Sequence, residues 1–125
     1  MNFKPICLIG TVVCAVFGLV FLLVPMQVAA IYGMVEWNPG QLTVARLFGV
    51  SMLYIAVTLF VLRDLADQAL RRTFAAAFAA ASAVAVVVSI HSVVTGATNS
   101  MMWSTVLIYG FFTIAWASVA KSSST

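Results

Sequence analysis

Charge is what this chain has least of. Only six of its 125 residues are Lys or Arg and three are Asp or Glu, 7% in all, while hydrophobic residues reach 64%. A soluble domain carries about 25% charged and roughly 45–50% apolar residues. So few charges cannot cover so much apolar surface in water, which leaves the bilayer as the natural solvent. The formal net charge of +3 does not point to nucleic acid, because no basic run with interleaved aromatics occurs. Histidine occurs once and cysteine twice. Cys7 and Cys14 are seven apart, two helical turns or about 10 Å, too far to bridge each other. No histidine or acid lies near them in sequence, so they read as packing residues, and no metal or cofactor is expected. No serine has a Gly-x-Ser-x-Gly setting, and the reading leans away from an enzyme. Carboxylates are absent from the apolar stretches, which argues against proton pumping.

What remains is mostly long apolar runs. Spans are expected at about 6–24, 42–62, 74–96 and 101–120, each long enough to cross a hydrocarbon core of about 30 Å. The first run exceeds the 7–15 residues usual for a signal core, so an uncleaved helix is expected there. Pro25 opens a short interfacial segment, about 26–32, and Gly33 suits the position after its end. Glu36-Trp37-Asn38-Pro39-Gly40 is turn chemistry, with Trp37 a candidate interface anchor. Ala45 and Gly49 give a small-xxx-small spacing for close helix approach. The third span is alanine-rich in its first half, and Trp103 and Trp116 near the ends of the fourth suit an aromatic belt.

Five of the nine charged side chains fall in the stretch Arg63-Asp64-Leu65-Ala66-Asp67-Gln68-Ala69-Leu70-Arg71-Arg72. With Lys4 and Lys121, its arginines place every basic residue outside the spans on one side of a four-span chain. The first and third loops hold no Lys or Arg, so both termini are expected in the cytoplasm. Short loops make consecutive helices antiparallel neighbours. The expected fold is therefore all-α: one 1–125 domain, an up-down four-helix transmembrane bundle in an inner membrane.

Arg46 and His91 are the ionisable side chains, tyrosine and cysteine apart, that fall within spans. Each is five residues from the outer end of its span, about 7 Å deep. Ala77, Ala80, Ala81, Val84, Val88, His91 and Thr95 share one stripe, expected to pack inward. Glu36, Asn99, Tyr32 and Ser51 could join Arg46 and His91 in an outward-opening polar pocket for an anion or carbonyl. The competing reading is an arginine that snorkels to headgroups or pairs with Glu36. Tyr54 and Tyr109, near mid-span, are expected to be buried and hydrogen-bonded.

Phe17-Gly18-Leu19, Pro25, Tyr32-Gly33, Asn38-Pro39 and Ala45-Arg46-Leu47-Phe48-Gly49, with Gly96, Asn99 and Trp103, give the chain a further aspect. It resembles uncharacterised bacterial four-helix membrane proteins of the DoxX-like group. The resemblance implies a compact inner-membrane bundle. Some members are linked with quinone or thiol redox chemistry, but this chain has no CxxC. The leading functional expectation is a binding or accessory bundle in contact with membrane lipid, a small amphiphilic ligand, further copies or a larger membrane complex. The alternatives are a subunit of an oligomeric transporter or channel, and a membrane enzyme acting on lipid or quinone.

Overall fold

In the computed structural model, which describes residues 2–122, the chain forms five helices. They are α1 (Phe3–Leu23), α2 (Pro25–Ile31), α3 (Pro39–Leu62), α4 (Gln68–Val94) and α5 (Met102–Ser122). No strand occurs among the described residues. All but α2 are long and apolar enough to cross a membrane. At 1.5 Å per residue, even the 21-residue helices span about 31 Å.

The apolar runs locate these helices, but capping decides where they begin and end. Asn38 starts α3 with a reciprocal box: Gln41 N–H donates to Asn38 Oδ1 at 2.9 Å, and Asn38 N–H donates to Gln41 Oε1 at 3.0 Å. Pro39 follows at the first helical position, where its missing N–H costs nothing. Helix α2 ends in a Schellman motif, with Gly33 at φ 84° and Met34 N–H bonded to Ala29 O at 3.0 Å. The largest shift from the expected bounds is in α4, which starts six residues before residue 74. Asp67 Oδ1 accepts from Leu70 N–H at 3.0 Å and draws Arg71 and Arg72 into the first turns.

The helices assort into two compact units, one of residues 7–63 and the other of residues 2–6 with 64–122. In the first, Thr11 Oγ1 donates to Ala56 O, Gly18 meets Gly49, and Phe21 meets Phe48 edge-on at 5.0 Å. Contacts therefore descend α3 as they ascend α1. The two glycines bring backbones together: a Cβ on Gly49 would lie 2.7 Å from Gly18 O. Ala45 and Gly49 are buried on this face, as their spacing predicts.

In the second unit α4 packs on α5. The buried residues of α4 are Ala75, Ser82 and Ser89, seven apart, opposite the buried Phe112, Ala115, Trp116 and Val119 of α5. This corrects the inward stripe. Ala77, Ala80, Ala81, Val84, Val88, His91 and Thr95 lie away from that buried line, and all seven are exposed. Alanine fills both faces of this helix, so size does not mark the inner one. Trp116 is a second correction: it is 1% exposed, ringed by Phe3, Phe74 and Phe78 rather than placed in a belt. Trp103 is 46% exposed.

The linker from α3 to α4 is tied down within its own unit. Lys4 Nζ bonds Asp64 at 2.7 Å, Arg71 donates to Leu65 O, and the Arg71 guanidinium lies 5.4 Å from the Phe3 ring centroid. Cys7 and Cys14 form no disulfide among the described residues.

Candidate functional site

The sequence-predicted site residues fall in both units. In the unit of residues 7–63, Arg46 lies seven residues into α3, about 10 Å from its start. Its side chain is exposed and forms no hydrogen bond or ion pair among the described residues. Glu36, in the segment before α3, is likewise exposed and unpaired there. The alternative pairing of Arg46 with Glu36 is therefore not formed among the described residues. Tyr32 is buried at the end of α2, where its N–H closes the last turn on Ala29 O at 3.0 Å. Trp37 Nε1–H donates to Met34 O at 3.4 Å, which folds this loop back on itself. Ser51 Oγ donates to Leu47 O, one turn back in its own helix.

In the other unit, His91 is exposed in the last turn of α4. Its carbonyl accepts from both the N–H and the hydroxyl of Thr95. Asn99 acts locally, because its Oδ1 accepts from Met101 N–H at 3.0 Å and its carbonyl from Met102 N–H, opening α5. Ser92 and Thr98 hydroxyls meet at 2.9 Å and close the same loop around Gly96, at φ 77°.

An apolar recess of about 330 Å³ is lined by Leu8, Ile9, Val12 and Val13 of α1. It lies about 12–20 Å along the helix from Phe21, the residue that meets Phe48 near Arg46. Recess and guanidinium are thus separate features. Among the described residues no group of three or more His, Cys, Asp or Glu could hold a metal ion.

Chemically, the arrangement offers one cation inside an apolar helix, with five N–H donors and no acceptor among the described residues of its own chain. It suits a phosphate or carboxylate at the shallow end of a span.

The sequence pattern alone did not reveal one grouping. Tyr54, expected to be buried, is 74% exposed, and it shares its outward face with Ser51 and Thr58. Their spacing of three and four was a visible signal. Tyr109, by contrast, is half-buried.

Comparison with protein-family models, curated proteins and solved structures finds no match to this chain.

Proposed function

We propose that this chain is a membrane binding or accessory protein that holds the headgroup of an anionic amphiphile at Arg46. The observation that carries the reading is an exposed guanidinium, unpaired among the described residues, within a helix apolar enough to span a membrane. At that depth the guanidinium reaches the headgroup boundary, where a phosphate or carboxylate pairs with it. The other polar residues expected in the pocket divide: His91 and Asn99 lie in the other unit, while Glu36 and the buried Tyr32 belong to the segment that leads into α3.

The frame of this reading is an antiparallel up-down bundle of four spans in a bacterial cytoplasmic membrane, with both termini in the cytoplasm. The charge distribution supports it, since Lys4, Arg63, Arg71, Arg72 and Lys121 all fall on one side and the other loops have no Lys or Arg. The DoxX-like resemblance points the same way.

Native mass spectrometry of gently solubilised protein tests the proposal. The expected result is a bound anionic amphiphile on the wild type, lost from Arg46→Ala. An identical adduct on both proteins, or none on the wild type, overturns it.

A further inference from the structure

Helix α3 carries hydroxyls on its outward side. Its buried residues, Ala45, Gly49, Met52, Ala56 and Leu59, are small or apolar and form one face. The opposite face carries Ser51, Tyr54 and Thr58 beside Leu47 and Val61, all exposed. Three hydroxyls on the outward face of a membrane span call for a partner, because polar groups there normally face other protein. The exposed side of α4 is apolar over its middle turns, where Ala77, Ala81, Val84 and Val88 suit lipid tails, and turns polar only at His91 and Thr95 near its end.

Depth sharpens the problem. Tyr54 lies between three and four residues from the midpoint of the 24-residue α3, about 5 Å along its axis. The hydrocarbon boundary is then about 10 Å away, beyond the reach of a tyrosine side chain. Tyr54 Oη has no hydrogen bond among the described residues. Lipid tails offer it none.

The hydroxyls on either side are complementary to it. Ser51 Oγ donates to Leu47 O at 3.0 Å, and Thr58 Oγ1 donates to Tyr54 O at 2.8 Å. Each has spent its proton inside the helix and retains lone pairs as an acceptor. The face thus holds one donor in need of an acceptor, flanked by two acceptors in need of a donor. Such a face satisfies itself when it meets its own copy. Copies of one chain insert in the same direction, so a two-fold axis along the membrane normal brings equal depths together. Arg46 lies about 80° round the helix from Tyr54, so the two guanidinia flank the seam rather than meeting across it.

We infer that the face of α3 bearing Ser51, Tyr54 and Thr58 is the seam along which two copies of this chain associate, each Tyr54 hydroxyl donating to a Ser51 or Thr58 hydroxyl of the other copy. The inference rests on α3 being a membrane span but not on the amphiphile at Arg46.

Cysteine cross-linking in native membranes tests it, with Cys7 and Cys14 both changed to Ala. Leu47→Cys, on the same outward face and leaving all three hydroxyls in place, is expected to give a disulfide-linked species with the mass of two chains. Val87→Cys, on the exposed side of α4, serves as the collision control. Equal cross-linking at both positions overturns the inference, and so does a Leu47→Cys adduct with a protein of different mass. Tyr54→Phe removes the hydroxyl and keeps the ring, so it spares the fold. It is expected to raise the dimer dissociation constant about tenfold, the effect of two interhelical hydrogen bonds of typical membrane strength. A monomeric wild type, or a Tyr54→Phe protein that dimerises equally well, contradicts the seam. Arg46→Ala that loses its amphiphile yet still cross-links through position 47 separates the two proposals.

Discussion

A methyl group added at Gly49 has nowhere to go, because it would meet Gly18 O at 2.7 Å and Leu22 N at 2.8 Å, both backbone atoms. Gly49→Ala is therefore expected to destabilise the protein by about 1–3 kcal/mol, the range for overpacking a close contact. Gly110 sits inside α5 with nothing within 4 Å of its Cβ position. Gly110→Ala should stabilise by roughly 0.5–1 kcal/mol, since a helical glycine carries an entropic penalty. Thermal unfolding in one detergent checks the opposite signs, and shifts in the same direction would contradict the packing described. The tryptophans give a second pair. Trp116→Ala empties an aromatic cluster and should cost about 3–5 kcal/mol, whereas Trp103→Ala, at a half-exposed site, should cost far less. At this scale the sequence was only partly legible. Alanine, glycine and tryptophan types were visible, but whether a tryptophan near a span end faces a belt or a cluster depends on Phe3, at the far end of the chain from Trp116.

The helices themselves were legible because a long apolar run has few other ways to hide its backbone polar groups in a bilayer. Their ends were less so. The hydropathy signal stops where polar residues begin, but α4 continues outward to its Asp67 cap. Asp67→Ala is expected to cost about 1 kcal/mol and to speed amide exchange in the first turn of α4. Unchanged exchange there would mean that the cap does not hold the helix start. Faces were the least legible feature. A helix with alanine on several sides carries little amphipathic signal, and the stripe with His91 lies outward while Ala75, Ser82 and Ser89 lie inward. On α3 the hydroxyl spacing was readable, but its outward direction required knowing that Gly49 packs against Gly18. Arg46 falls within α3, a helix long and apolar enough to cross a membrane. Its lack of a partner among the described residues was not visible in sequence.

For the molecule as a whole, function as proposed depends on four crossings with both termini on one side. Surface ion pairs add little to this: Lys4 and Asp64 are each 57% exposed, and such a pair contributes about 0–1 kcal/mol. Lys4→Ala should therefore leave the unfolding midpoint nearly unchanged. Orientation instead comes from where Lys and Arg are retained during insertion. Cysteine accessibility in intact cells measures it directly, with Cys7 and Cys14 changed to Ala and single cysteines placed at Glu36, Ala66 and Ser100. An impermeant thiol reagent is expected to label positions 36 and 100 from outside, and position 66 only after the cells are opened. Labelling of position 66 in intact cells, or protection of 36 or 100, would contradict the four-span arrangement and the outward-facing site built on it.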